Sequence, residues 1–215
     1  MAGQNIMEER RIQMVADQIE KRGVSDKRVL DAMRKVERHL FVPAAFRDYA
    51  YSDQPLAIGY GQTISQPYVV AAMTEALQIK PGDKILEIGT GSGYQAAVLG
   101  ELTEHVYSIE IVEPLAEKAR QVLLSLDYNY IQVRHGDGYQ GWPEQAPFDA
   151  VIVTAAPPAI PPELIKQLKV GGRMVIPVGA GSQDLLLISK TSSGLRRQTL
   201  FPVRFVPMVP GNDSP

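Results

Sequence analysis

A chain of 215 residues, 45% hydrophobic and 21% charged, has the size and balance of one globular domain with an appendage. Its 22 basic and 24 acidic side chains leave a net charge of −2, which excludes a broad nucleic-acid footprint; Arg10-Arg11 and Arg196-Arg197 read as solvated pairs. Cysteine is absent, which excludes disulfides, a thiolate nucleophile and Cys-ligated zinc.

Met1 to Arg11 carries charges and no apolar h-region, so no signal peptide is expected, and no window is apolar enough for a membrane span. The reading is a cytoplasmic protein. Glu8 to Arg22 predicts a helix with Ile12, Val15 and Ile19 on one face and Gly23 just past its end. A second helix is expected over Asp26–Val36, with Ser25 as N-cap and Val29, Leu30, Met33 and Val36 as its buried stripe. Arg38-His39-Leu40-Phe41-Val42-Pro43 and a short helical piece to about Tyr51 follow. Ser52 to Ser65, rich in Gly, Pro, Gln and Asp, reads as an ordered loop. Pro67 suits the first position of a helix through Gln78, with Ser65 or Gln66 as its N-cap.

From Lys84 the pattern becomes regular. Strand-like runs at Lys84–Gly89, His105–Glu110, Tyr130–His135, Asp149–Thr154 and Gly172–Val178 alternate with helical runs at Tyr94–Leu102, Pro114–Leu126 and Pro162–Leu168. That order predicts an α/β fold, a doubly wound, mostly parallel sheet with helices on both faces. Two further runs, Leu185–Lys190 and Leu195–Val206, flank Thr191-Ser192-Ser193-Gly194 and predict an antiparallel hairpin at the end of the sheet. The whole chain, 1–215, is read as a single domain: 1–80 a helical cap and substrate loop, 81–215 the cofactor-binding sheet and C-terminal strands.

In such a sheet the ligand sits beyond the carboxyl ends of the strands. The first strand ends in Gly89-Thr90-Gly91-Ser92-Gly93, whose glycines permit positive φ and close approach of a ligand to the backbone. The spacing G-x-G-x-G departs from the G-x-G-x-x-G of dinucleotide folds and points to another adenosine-bearing cofactor. The helix that follows offers its N-terminus to a cofactor carboxylate. Glu110 closes the second strand, 21 positions beyond Gly89 (110 − 89), and suits a bidentate bond to ribose hydroxyls unless it is only a solvated strand end. Asp137, within Gly136-Asp137-Gly138, is either a plain turn residue or an acceptor for an adenine amino group. Glu87 lies inside an apolar strand and needs a partner, either the N–H groups of the glycine turn or a cofactor ammonium.

The loop Ala155–Pro162 beyond the fourth strand has no titratable side chain and lacks the Asn/Asp-Pro-Pro-aromatic tetrapeptide of adenine methyltransferases. His39, His105 and His135 have no metal-ligand spacing, so no metal is expected.

The sequence resembles the protein-L-isoaspartate (D-aspartate) O-methyltransferases along essentially its whole length. The resemblance is carried by Thr63-Ile64-Ser65-Gln66-Pro67, by Leu86–Tyr94 with its glycine turn, by Gly136-Asp137-Gly138, and by Phe148–Val153 with Leu168–Arg173 behind it. Arg38–Pro43 and Arg204-Phe205-Val206-Pro207-Met208-Val209 also look like family features; Val209 departs from members that have threonine there. The resemblance implies a Rossmann-like fold and methyl transfer from S-adenosyl-L-methionine to the free α-carboxylate of an L-isoaspartyl residue in a damaged protein or peptide. The ester would then close to a succinimide, whose hydrolysis returns some aspartate. By this likeness Ser65 is the catalytic serine. Thr63, Glu87, Gly89, Gly91, Gly93, Glu110, Gly136, Asp137 and Gly138 hold the cofactor, and Ile64, Ser65, Val206 and Pro207 meet the substrate. The expected partners are damaged proteins and peptides, with no nucleic acid or membrane, and the enzyme is expected to act as a monomer.

The residues agree with that chemistry. A carboxylate with a reference pKa near 4 is already ionised at neutral pH and needs no general base, which fits the base-free loop Ala155–Pro162. Ser65 would either orient that carboxylate or cap the Pro67 helix. The Arg204–Val209 run would either pair with an extended peptide or merely close the sheet. Methylation of a small molecule or nucleic acid, a non-catalytic S-adenosylmethionine-binding module and a nucleotide dehydrogenase remain as alternatives.

Overall fold

A computed structural model describes residues 2–211, with side chains from residue 6 onward. α1 (Ala2–Met14) passes without a break into a π turn (Val15–Ile19) and a 3-10 turn (Glu20–Arg22), and Gly23 at φ 99° ends the run. The wider π turn rotates the segment before it out of the 3.6-residue register. Met14, Val15 and Ile19 are consequently buried, whereas Ile12, expected on the same face, is 49% exposed. α2 (Lys27–Lys35) buries Val29, Leu30 and Met33 as its pattern demands. Its cap is Asp26 and not Ser25: Asp26 Oδ1 accepts from the N–H groups of Arg28 and Val29 at 2.9 and 3.4 Å. Glu75 Oε1 accepts from both the Ser25 and the Asp26 N–H, at 2.6 and 2.7 Å, and ties this connection to the Pro67–Leu77 helix.

The Arg38–Phe41 segment is a 3-10 turn that braces the helix behind the glycine turn. Arg38 is fully buried, its Nε donates to the Ala50 carbonyl at 2.8 Å, and its guanidinium carbon lies 4.9 Å from the Tyr94 ring centroid. Burial pulls Arg38 down to about 10 and pushes Tyr94 up to about 12, so neither changes charge at neutral pH. Phe41 meets the same ring edge-on at 5.6 Å.

Where an ordered loop was expected, part of the Ser52–Ser65 stretch folds as an antiparallel hairpin of β1 (Leu56–Gly59) and β2 (Gln62–Ile64). Leu56 and Ile58 are buried between exposed neighbours, a period-2 pattern masked by the surrounding glycines. The turn needs positive φ at two positions, supplied by Tyr60 at 53° and Gly61 at 70°. α3 (Pro67–Leu77) follows, with Pro67 in its first turn and Gln66 at the cap.

The βα alternation then unfolds much as its pattern predicts. In chain order come β3 (Lys84–Ile88), α4 (Tyr94–Gly100), β4 (His105–Glu110), α5 (Glu113–Ser125), β5 (Gln132–His135), β6 (Phe148–Val153), α6 (Pro162–Gln167), β7 (Leu168–Val178), β8 (Gln183–Thr191) and β9 (Gly194–Val203). They form one seven-stranded sheet in the order β5-β4-β3-β6-β7-β8-β9, parallel through β7 and antiparallel for β8 and β9. β7 starts at Leu168, earlier than expected, because Leu168 pairs with Phe148 and the chain bulges before Arg173 pairs with Ala150.

Both faces of the sheet are covered, which explains near-continuous apolar strands. On one face Ile85, Ala150, Ile152 and Val175 pack with the N-terminal helices, α3, α4 and α5. On the other, Leu86, Ile88, Val151, Met174 and Ile176 pack with α6 and Met208. The chain leaves β3 for β4 on one side and returns to β6 on the other. That reversal opens a crevice at the carboxyl end of β3.

Candidate functional site

The crevice is floored by the glycine turn, with Gly89, Gly91 and Gly93 at φ 95°, 53° and 87°. A side chain at Gly89 would place its Cβ 2.4 Å from Thr154 Oγ1. That hydroxyl lies 2.7 and 3.0 Å from the Gly89 and Ile88 carbonyls, so the end of β6 locks the turn. Across the crevice a Cβ at Gly138 would meet Ile88 Cγ2 at 2.3 Å. Bare backbone is therefore required on both sides. Gly93 has a different task, as the left-handed cap of α4.

Glu110 is only 5% exposed and ties the crevice together. Its Oε2 accepts from Gly91 N–H at 2.8 Å and its Oε1 from Val112 N–H at 2.9 Å. The β4 end is thus bound to the glycine turn and to the start of α5, and each oxygen keeps a second lone pair. Gly136 N–H donates to the Glu110 carbonyl at 3.0 Å. Asp137 caps the 3-10 turn Gly138–Gln140 through a 2.8 Å bond from Tyr139 N–H to Oδ1.

Glu87 does something other than either expected role. It is fully buried, its Oε2 accepts from Ser108 Oγ, and Ser108 in turn lies 2.5 Å from Thr90 Oγ1 beneath the glycine turn. Its Oε1 has no partner. Burial above all pushes its carboxyl up to about 8, helped by the charge of Glu110 and opposed by the Ser108 bond. In this structure Glu87 is a neutral acid on a hydroxyl chain, where the sequence suggested the N–H groups of the glycine turn or a cofactor ammonium as its partner.

Two cavities meet over this floor. The smaller, about 220 Å³, is walled by Gly89, Gly91, Glu110, Gly138 and Pro207 among others. The larger, about 430 Å³, is walled by Ser65, Tyr68, Phe201 and Phe205 with Arg22 and Arg204 at its polar parts. Thr63, Thr154 and Val206 belong to both. Ser65 is half-buried and does not cap α3, whose Gln66 N-cap makes no side-chain cap bond; among the described residues the Ser65 hydroxyl has no hydrogen-bond partner. Ile64, by contrast, is buried in the core and lines only a pocket of about 30 Å³ behind Ser65.

The C-terminal segment Arg204–Val209 is not a strand with a free edge. The Val206 carbonyl accepts from Ala156 N–H at 2.8 Å and Met208 N–H donates to the Ala156 carbonyl at 2.9 Å. Gln183 holds both the N–H and the carbonyl of Phe205, at 2.6 and 3.0 Å. This fastening engages Phe205 on one edge of the segment and Val206 and Met208 on the other. Thr154, Gln183, Tyr68 and Phe201 were not singled out in the sequence. They carry no motif: Thr154 and Gln183 stand at strand ends, Phe201 lies near the end of β9 and Tyr68 in the first turn of α3. His39 is paired with Tyr51 at 2.7 Å, and His105 and His135 are exposed strand-end residues. Among the described residues no cluster of three or more His, Asp or Glu is placed to hold a metal, and no helix is long and apolar enough to cross a membrane.

Comparison with known proteins gives these cavities a context. A family model described as protein-L-isoaspartate(D-aspartate) O-methyltransferase matches residues 9–213. A protein-L-isoaspartate O-methyltransferase of Synechococcus sp. (strain JA-2-3B'a(2-13)) is 59% identical over 207 residues, covering 93% of this chain and 85% of its own length. The Gloeobacter violaceus protein of the same name is 55% identical over 197 residues, covering 91% and 96%. A solved protein-L-isoaspartate O-methyltransferase superposes with a TM-score of 0.84 at 28% identity, covering 95% of this chain and 67% of that one. A Plasmodium falciparum structure of the same description, in complex with S-adenosyl-L-homocysteine, gives 0.81 at 25% identity, covering 93% and 98%.

Proposed function

The chain belongs to the protein-L-isoaspartate (D-aspartate) O-methyltransferase family, and from that premise we propose how its joined cavities divide the work. The activity is methyl transfer from S-adenosyl-L-methionine to the free α-carboxylate of L-isoaspartyl residues in damaged proteins and peptides. One observation carries the reading: a smaller, glycine-floored cavity and a larger, open one share the wall of Thr63, Thr154 and Val206.

The smaller cavity fits the cofactor, since side chains at Gly89 or Gly138 would collide with Thr154 or Ile88 and fill the crevice. In our proposal Glu110 receives the ribose hydroxyls on its remaining lone pairs, and Gly136-Asp137-Gly138 borders the adenine. Gly89 and Gly91 admit the rest of the molecule to the main chain, and Thr63 closes the outer side. Bound there, S-adenosyl-L-methionine supplies a sulfonium-activated methyl group. Glu87 and Gly93 support this floor from beneath without lining either large cavity.

The larger cavity receives the isoaspartyl residue. Its carboxylate arrives ionised, so the protein supplies position and not a base. Ser65 donates a hydrogen bond to one carboxylate oxygen and leaves the other free to attack. Val206 forms part of the shared wall. Ala155 and Val206 give the reacting end an apolar wall, which favours a transition state in which opposite charges cancel. The same proposal has residues 1–80 acting as cap and substrate loop on the 81–215 sheet within one domain, supported by an apolar cluster that runs from Met14 to Leu185. It also has the enzyme working as a cytoplasmic monomer without nucleic acid or membrane; the net charge of −2 supports the absence of a nucleic-acid partner.

The function is tested with two peptides identical except for an aspartyl or isoaspartyl linkage, incubated with methyl-labelled cofactor. Base-labile, volatile label is expected from the isoaspartyl peptide alone; equal labelling of both, or of neither, overturns the reading. The cofactor assignment has its own check in Glu110→Gln. The amide turns an N–H2 group toward one of two backbone N–H donors, so cofactor binding by calorimetry should weaken roughly tenfold while turnover at saturating cofactor is largely kept. Unchanged affinity would remove Glu110 from the binding site.

A further inference from the structure

The substrate cavity does not end at its own walls. Arg22, Tyr68 and Phe201 line it and also line a wider groove of about 810 Å³. These three side chains make a ridge between the two, with the Tyr68 and Phe201 rings tilted by 37°. The Arg22 guanidinium lies 3.5 Å above the Tyr68 ring centroid, the Tyr68 and Phe201 centroids are 5.9 Å apart, and Asp53 fixes Arg22 at 2.8 Å.

The groove exists because the sheet is wider than its helical cover. α3 packs against β6 and β7. Beyond it the row Val175, Leu187 and Gln198 carries the same face two strands farther, to the edge at β9. Leu187, Gln198 and Leu200 are the floor, and the Gly23–Asp26 connection with Ala72 and Ala76 of α3 is the wall. The carboxylates in that wall are engaged by backbone: Glu75 accepts from Ser25 and Asp26 N–H at 2.6 and 2.7 Å, and Asp26 caps α2.

Granting the reading of the reaction above, we propose that this groove is a subsite for the substrate chain itself. It takes the unmodified residues on one side of the isoaspartyl residue, in extended form. A chain that places one residue in the cavity must leave it, and an extended chain advances about 3.3 Å per residue, so a few residues carry it over the ridge. The ridge suits any sequence. A planar guanidinium stacked on a ring presents a flat surface to peptide planes, and Arg22 keeps donors beyond the one held by Asp53. Leu187 and Leu200 add apolar contact area beside Gln198, within a groove whose lining is otherwise largely polar and includes Arg173, whose guanidinium donates to the Ala76 carbonyl. Damage arises in many sequence contexts, and this construction provides affinity without selecting among them.

The test uses a four-residue isoaspartyl core peptide and two series lengthened by several residues, one toward the N-terminus and one toward the C-terminus. The native protein should show a gain in kcat/KM of roughly tenfold, through KM, for one series only. Gln198→Trp fills the floor from an exposed strand position outside both reaction cavities. It should abolish that gain and leave kcat/KM for the core peptide unchanged. Gln198→Arg, bulky but polar, should do the same and guards against misfolding of the first variant. Absence of a gain in either series, equal gains in both, or a gain that survives in both variants overturns the subsite. If the native protein fails to methylate the core peptide at all, the reading of the reaction falls, an outcome separate from the ratio of long to short peptides.

Discussion

Ser65→Ala should lower turnover by about two orders of magnitude and leave cofactor affinity within about twofold. The side chain lines the larger cavity, beside the wall that the two cavities share, and not the smaller one. Among the described residues its hydroxyl has no hydrogen-bond partner, so its one donor is available to a substrate oxygen. The character of the bond follows from the charge change. The attacking carboxylate loses charge as the reaction proceeds, and a strong cation beside it would stabilise the reactant more than the transition state. A neutral hydroxyl holds the geometry with a weaker grip, so the loss in the variant is one of orientation. Single-turnover rates and calorimetric cofactor binding separate the two effects, and undiminished turnover would end the assignment. Stability supplies an independent readout. A helix-capping serine costs about 1 kcal/mol when replaced by alanine, whereas Ser65 caps nothing and the melting temperature should stay put.

That serine also shows where the sequence stops being informative. The order of elements from Lys84 onward is legible because both faces of the parallel sheet are buried, leaving apolar runs separated by helical periods. Glycines at Gly89 and Gly91 announce a turn that a ligand approaches closely, and Glu110 is marked by its place at the next strand end. Local signals misled where a long-range contact took over. Ile12 looks buried until a π turn shifts the helical register. The β1–β2 hairpin hides among glycines, and Arg204–Val209 looks like a free strand until Ala156 and Gln183 fasten it. Thr154 is the clearest omission. One hydroxyl locks Gly89 and stands at the junction of both cavities, yet a threonine ending a strand has no signature of its own.

Glu87→Gln should remove the steepest single contribution to the pH dependence of stability. In the unfolded chain this carboxyl has its ordinary value of 4.5, and in the folded protein burial raises it to about 8. The native state therefore retains a proton that the unfolded state releases. The resulting stability is fully present below about pH 4.5 and declines as pH rises toward about 8, by up to about 1.4 kcal/mol per pH unit. Glutamine is neutral throughout and lacks that slope. It can still accept from Ser108, so the two proteins should differ little at pH 5, with the variant the more stable at pH 8. Parallel denaturant midpoints for both proteins across that range would refute the protonated state. The consequence extends to the cofactor cavity. Ser108 links Glu87 to Thr90, within the glycine turn, and ionisation of Glu87 would set a second negative charge against Glu110, whose own carboxylate anchors Gly91. Cofactor affinity of the native protein should accordingly fall above about pH 8, and that of Glu87→Gln should not. A buried acid held neutral by its surroundings thus spares the Glu110–Gly91 contact a second buried charge beside it.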